Sequence, residues 1–325
     1  MKINIISENE LEKFCNFESF DLDRENVKKC GALESVVAED KGNILARASL
    51  WNAGNKIQGK KTGYIGHFAA ENKEAGLFLT EYMYKRAKEY RLEYLIGPLD
   101  GNTWQKYRFI TGDNKNPFFL EPYNPPEWPE IFMESGYEVI AEYYSVLVKE
   151  PEKKFRVSEK LKKMKFYSDL VIKKINKENF DKYINEIYDM SIESFKDNFL
   201  YSEISREDFI SSYMKIKDVM DCDFIYTAYK SGKPAGFVFG IPDYNEMSSG
   251  NKIETVILKT LAVNPEYQNF GLGTVLLEKF HETAVEKGYK NIIHALIHKD
   301  NMSGKISGKY GEIMRTYHLY GRVIS

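Results

Sequence analysis

The stretch Leu261-Ala262-Val263-Asn264-Pro265-Glu266-Tyr267-Gln268-Asn269-Phe270-Gly271-Leu272-Gly273-Thr274 carries the chemistry of an anion site. Glycine at 271 and again at 273 lets backbone approach a ligand with no Cβ in the way. The N–H groups of a helix's first turn then point at whatever anion sits there. Residues 268–273 run Gln-x-x-Gly-x-Gly, and a pyrophosphate is the anion expected, with a strand-to-helix turn that holds no ligand as the alternative.

The flanking elements position such a loop. Residues 254–263 (ETVILKTLAV) are β-branched and apolar enough for a buried strand. Downstream, Leu276, Phe280 and Ala284 recur every four residues among Glu278, Lys279, Glu282 and Glu286, the pattern of an amphipathic helix. Gly288 is a candidate helix stop, and 291–297 (NIIHALI) reads as the next strand. Asn301 lies just beyond it, as a helix cap or as a ligand contact. Upstream, 170–175 reads as a first strand and 180–195 and 206–219 as helices. Residues 224–229 and 235–241 form a hairpin turning at Ser231-Gly232-Lys233-Pro234.

This order of strand, glycine loop, helix, strand and Asn resembles the acyl-CoA site of the GNAT superfamily of N-acetyltransferases. The resemblance implies that the backbone of Gln268, Asn269, Phe270, Gly271, Leu272, Gly273 and Thr274 holds the pyrophosphate of acetyl-CoA. It also implies that Leu261, Ala262 and Val263 line the pantetheine arm and that Asn301 hydrogen-bonds it. The two parallel strands, 254–263 and 291–297, would splay to admit the arm, and the Val263 N–H would polarise the acetyl carbonyl. No metal is expected. The chain departs from the family at the groups that move protons. Where some members carry a strand Glu, this sequence has Ile257. Counting on from Asn301 to the usual tyrosine gives Gly308, and counting back from Gly311 gives Ser307. Tyr310 lies one helical turn past Ser307, so Tyr310 or Ser307 is the candidate general acid. Lys259 shares a strand face with Ile257 and is a candidate contact for an acidic substrate group, or an exposed strand-end lysine. His294 and His298 share one strand face by alternation, as proton acceptors through water or as structural histidines.

At 325 residues two domains are expected. A shift of 197 residues places Gly76 on Gly273, Leu79 on Leu276, Met83 on Phe280, Ala87 on Ala284, and Leu95-Ile96 on Ile292-Ile293. One helix and its following strand therefore occur twice. Residues 63–68 (GYIGHF) supply the preceding strand of the first copy, and 137–148 read as its terminal hairpin. At the same shift Glu71 and Glu74 meet Gln268 and Gly271, so carboxylates stand where the second copy would wrap a diphosphate. The fold expected is α/β with mixed sheets: two GNAT-like domains, 1–150 degenerate and without a CoA loop, 151–325 catalytic. Each is a mostly antiparallel sheet flanked by helices, with a splayed parallel pair. Residues 149–165 read as the linker.

The first half also carries Gly97-Pro98-Leu99-Asp100-Gly101-Asn102-Thr103-Trp104 and the Pro-rich, aromatic stretch 121–129, either packed linkers or the wall of an acceptor pocket, with Trp104 as its candidate contact. A formal net charge of −2 gives no electrostatic case for nucleic acid, and the Lys-rich stretch 160–165 reads as a solvated face. No apolar run approaches a membrane span, and the first residues lack a basic region followed by an apolar core, so a cytoplasmic location is expected. Cys15, Cys30 and Cys222 are odd in number and widely spaced, which argues against a disulfide framework or a zinc site. The leading reading is transfer of acetyl from acetyl-CoA to a primary amine of a small molecule or peptide. A Fem-type aminoacyl transferase and a CoA-binding regulatory protein are the alternatives.

Overall fold

The computed structural model describes residues 1–17, 20–112, 116–154, 165–217, 221–248, 250 and 252–325. The stretch 160–165 lies almost wholly outside them. The chain divides into two units, each assembled from non-contiguous segments. Unit 1 holds 1–115, 122–142 and 316–325; unit 2 holds 116–121 and 143–315. Two strands cross between the units: β7 (Glu138–Lys149) and β13 (Glu312–Val323).

In unit 1 the sheet order is β1 (Lys2–Ile5), β2 (Glu34–Asp40), β3 (Asn43–Ile57), β4 (Lys60–Ala70), β5 (Tyr94–Gly97), then the second part of β13, with β6 (Phe109–Thr111) pairing β13 at its side. All pairs are antiparallel except β4 with β5. The helix Lys73–Glu89 buries Ala75, Leu79, Met83 and Ala87 against this sheet.

Unit 2 runs β8 (Leu170–Lys174), β9 (Ile225–Lys230), β10 (Lys233–Pro242), β11 (Thr255–Val263), β12 (Asn291–His298), then the second part of β7. Here too only one pair, β11 with β12, is parallel. The β9–β10 hairpin closes through Ser231 and Gly232, both at positive φ (49° and 79°), the turn whose twist matches that of the strands. The helix Leu272–Glu286 buries Leu272, Leu276, Leu277, Phe280 and Ala284, the leucines and the phenylalanine each contributing up to about 2–3 kcal/mol on leaving water. Its end is a Schellman motif, with Tyr289 N–H on Ala284 O (2.9 Å) and Gly288 N–H on Val285 O (3.0 Å). Leu92 N–H on Ala87 O (3.0 Å) and Arg91 N–H on Lys88 O (2.9 Å) repeat it in unit 1.

The strands of each unit are mixed, with one parallel pair in each, in agreement with the fold class expected from the sequence. Three local expectations are corrected. Residues 137–148 are not a hairpin but lie along the single strand β7, which is paired with β12 from Tyr143 onward. The second helix of unit 2 spans only Arg206–Met214; 215–217 follow as a turn, and 218–219 lie outside the described residues. The ungapped repeat fails before the helix. The shift that puts Tyr94 on Asn291 puts Thr62 on Lys259, whereas Thr62 and Thr255 are the residues that pair there. From the paired threonine to the helix glycine unit 1 has four fewer residues (62–76 against 255–273), so Glu74 lies in the helix's first turn rather than in a loop. Only Glu71 and Asn72 connect the two elements, and Asn72 Oδ1 caps the Ala75 N–H at 2.9 Å.

The three cysteines are free thiols, and no helix among the described residues is long and apolar enough to cross a membrane.

Candidate active site

In unit 2, β11 and β12 pair from Thr255↔Asn291 only as far as Leu258↔His294. Beyond that point β12 follows β7, with Ile297 opposite Tyr144 and His298 opposite Tyr143. A bulge drives the departure: Leu296 takes φ +60°, and its N–H turns to Ser145 Oγ (3.1 Å). β11 stays with β10, so a gap opens along residues 259–263. Amides along a strand point alternately to its two edges. Asn264 N–H donates to Ala235 O on the β10 side (2.9 Å), so the Val263 N–H faces the edge that β12 has left. Leu261 and Val263 are half-buried at this gap, and Ala262 is buried.

The loop after β11 is shaped by its own side chains. Asn264 Oδ1 accepts from Glu266 N–H (3.0 Å), and the amide of Gln268 reaches back to Val263 O (3.4 Å). Asn269 and Gly271 take φ +67° and +83°, and Phe270 between them is exposed. Gly271 is the N-cap of the Leu272–Glu286 helix and gives no side-chain cap, so the first-turn amides, including those of Leu272, Gly273 and Thr274, have no capping oxygen from it. A Cβ built on Gly273 would come no nearer than 3.6 Å to Val263 Cγ2, 3.8 Å to Ile306 Cδ1 and 4.0 Å to Leu261 Cδ2. Packing does not require glycine there; the cradle has room a methyl group would occupy.

Unit 1 fills the equivalent space with its own chain. A Cβ on Gly76 would lie 2.5 Å from Ile131 Cδ1, in the helix Glu127–Glu134. Trp128 of that helix donates its indole N–H to Ala70 O (3.0 Å), so part of the stretch 121–129 is core packing. Past the β4–β5 pair, Leu99 N–H bonds Ile65 O (2.8 Å) and the Asp100 carboxylate accepts the His67 N–H (2.6 Å).

The remaining candidates are placed as follows. Asn301 is exposed and caps nothing with its side chain, at the start of the helix Met302–Ser307. Ser307 ends that helix and is buried; Tyr310 follows on a turn, its N–H on Ser307 O (3.0 Å), so the two are not on one helical face. The Tyr310 ring meets His281 at 5.0 Å and His294 at 6.3 Å. Burial raises its phenol pKa, and the nearby Glu278 carboxylate, to which the hydroxyl is bonded, raises it further. His294 is buried with its Nε2 2.8 Å from Nε2 of His281. Burial keeps both imidazoles neutral, lowering His281 to about 4 and His294 well below its usual value.

Two alternation arguments are overturned by bulges. His294 opposes Val146 and His298 opposes Tyr143, an odd separation on β7, so the two histidines face opposite sides of the sheet. The His298 ring packs on Tyr143 (4.8 Å) and Phe199 (6.3 Å). Lys259 is the extra residue between Thr260↔Phe239 and Leu258↔Gly240, and its ammonium donates to Leu120 O (3.0 Å).

Leu120 belongs to a segment of which only Glu121 lies in a stretch the sequence singles out. Residues 116–121 come from the first half of the chain yet belong to unit 2. Phe119 N–H bonds Asp243 Oδ1 (2.8 Å), Asn245 Nδ2 bonds Pro117 O (3.0 Å), and Glu121 pairs with Arg315 at 2.6 Å, both side chains essentially inaccessible. Leu120 is exposed at φ +63°, a strained value for leucine held by these anchors. Trp104 lies in unit 1, partly buried in a turn where its N–H bonds Asn102 Oδ1 (2.9 Å). Among the described residues no His, Cys, Asp and Glu cluster is suited to a metal ion.

Residues 184–304 match the acetyltransferase (GNAT) family model, a span that includes the glycine loop and both splayed strands. No curated protein matches the chain. Solved structures share the fold at low identity. A probable N-acyltransferase of Enterococcus faecalis V583 is 10% identical, with a TM-score of 0.58 over 99% of this chain and 72% of that one. A tandem GNAT protein from the clavulanic acid biosynthesis pathway is 10% identical, with a TM-score of 0.53 over 100% and 98%. The glucosamine N-acetyltransferase region of a fungal multi-domain β-N-acetylglucosaminidase is 12% identical, with a TM-score of 0.52. It covers 98% of this chain, which spans only 38% of that protein's length.

Proposed function

We propose that this chain, whose residues 184–304 match the GNAT family model and whose fold is that of a tandem GNAT protein, is an acetyl-CoA-dependent N-acetyltransferase acting on a primary amine. The observation that carries the proposal is the contrast between the open cradle at Gly273 and the filled one at Gly76. The residues of unit 2 fit the cofactor. The amides from Asn269 to Thr274 would hold its pyrophosphate, the Gln268 N–H being bonded to Pro265 O (3.3 Å); the Leu261–Val263 edge and Asn301 would take its pantetheine arm, and the Val263 N–H would bind the acyl oxygen. When bound, acetyl-CoA supplies the acyl group as a thioester. The amine comes from the sheet face of His298, Lys259 and the Leu120 segment, and Tyr310 or Ser307 donates a proton to the departing sulfur. The cofactor needs no metal, and the setting is the cytoplasm.

Calorimetric titration should give one acetyl-CoA per chain; two equivalent sites, or none, would refute this assignment. A panel of primary amines then tests turnover. A second reading, a CoA-binding regulatory protein, draws on Ile257 in place of a base and on the bond between Tyr310 and Glu278. Binding with no transfer to any amine would favour it.

A further inference from the structure

Tyr167 lies outside the glycine motif, in the short turn Lys165–Asp169 that leads into β8, and its hydroxyl donates to the carbonyl of Phe270 at 2.6 Å. A trans peptide is planar, and the C=O of one residue points opposite to the N–H of the next. Holding the Phe270 carbonyl therefore also fixes the direction of the Gly271 N–H. That plane is otherwise easy to turn over. Gly271 sits at φ +83°, and glycine accepts the reversed sign as readily, so its own stereochemistry does not choose between the two orientations.

We infer that Tyr167 is a positioning residue for the acyl donor: it locks the Phe270–Gly271 peptide so that the Gly271 N–H joins the first-turn amides of the Leu272–Glu286 helix in facing the pyrophosphate. The inference rests on the acyl-CoA reading and deepens it. The phenol is suited to the task as a neutral donor, since burial and the Glu278 charge both oppose its ionisation. A loop with left-handed backbone at both 269 and 271 is then held in its binding conformation before the ligand arrives, which lowers the cost of binding.

The test uses the full chain, Tyr167→Phe, and two donors: acetyl-CoA and acetylated pantetheine, which lacks the pyrophosphate. Losing one hydrogen bond of this kind should weaken the acetyl-CoA Kd about three- to tenfold. KM and kcat with acetylated pantetheine should stay at wild-type values, and the melting temperature should fall by no more than a few degrees, the cost of one hydrogen bond. Equal losses with both donors would reduce Tyr167 to a general structural role and overturn the inference, as would an unchanged acetyl-CoA affinity. If the wild-type chain itself bound no acetyl-CoA, the acyl-CoA reading would fall and this one with it.

Discussion

Gly76 and Gly273 occupy matching places at the start of the two repeated helices, and only at Gly76 is the space of the missing side chain taken: Ile131 Cδ1 stands 2.5 Å from where its Cβ would be, against 3.6 Å for the nearest atom at Gly273. One glycine serves packing. Packing does not call for the other.

Alanine at the two positions should therefore have opposite effects. Gly273→Ala should leave stability unchanged or raise it by up to about 1 kcal/mol, the usual helix preference. It should weaken acetyl-CoA at least about tenfold, roughly 1.4 kcal/mol. Gly76→Ala should lower stability by about 1–3 kcal/mol through overpacking against Ile131, with acetyl-CoA affinity intact. Denaturant melts paired with calorimetry read both effects, and an unaffected Kd in Gly273→Ala would contradict the cradle.

The acid can be assigned by kinetics. Tyr310→Phe should reduce kcat at least about tenfold, the low end of general acid catalysis, with little change in acetyl-CoA Kd. Normal turnover in both Tyr310→Phe and Ser307→Ala would exclude the pair, leaving the thiolate to depart unaided or to take its proton from the substrate.

The His281–His294 pair makes stability depend on pH. Both pKa values lie below the unfolded value in the folded chain, so the unfolded state binds the extra protons. The stabilisation is fully present above about pH 6.5, the unfolded histidine value, and is lost as pH falls toward the folded value of about 4 for His281. From pH 7 to 5 the loss from His281 alone should be roughly 2 kcal/mol. Urea melts of wild type and the double variant His281→Leu/His294→Leu should show a shallower decline in the variant; parallel curves would mean the pair is not the titrating element.

Breaking the Glu121–Arg315 pair should be costly, because each side chain is almost wholly removed from solvent. Arg315→Met leaves a buried carboxylate without its cation and should destabilise the chain by about 3–5 kcal/mol. A change below about 1 kcal/mol, the worth of a surface pair, would show that water reaches the site.

What the sequence discloses and what it hides divides along physical lines. The glycine loop, the Ser231-Gly232 turn and the amphipathic Leu272–Glu286 helix are legible because each is set by residues within a turn or two of one another. Lys259 and His298 were misplaced on their strands because a bulge depends on the partner strand, and period-two counting carries no sign of it. Tyr167 ends a lysine-rich stretch with no periodicity, and the segment 116–121 meets Asp243, Lys259 and Arg315 across more than a hundred residues. The departures at Ile257 and Ser307 were visible, but what replaces the missing groups is a matter of where Tyr310 and Glu278 sit in space.

The two crossing strands also set an order of events for a chain emerging from the ribosome. Unit 1 is complete only when Tyr320–Val323 pairs with β5, so its sheet keeps an unmatched edge until synthesis has run past every element of unit 2. Domain-by-domain folding behind the advancing chain is closed to this protein. The first half must wait, its β5 edge open to wrong partners, and loss of the last ten residues would injure the half made first.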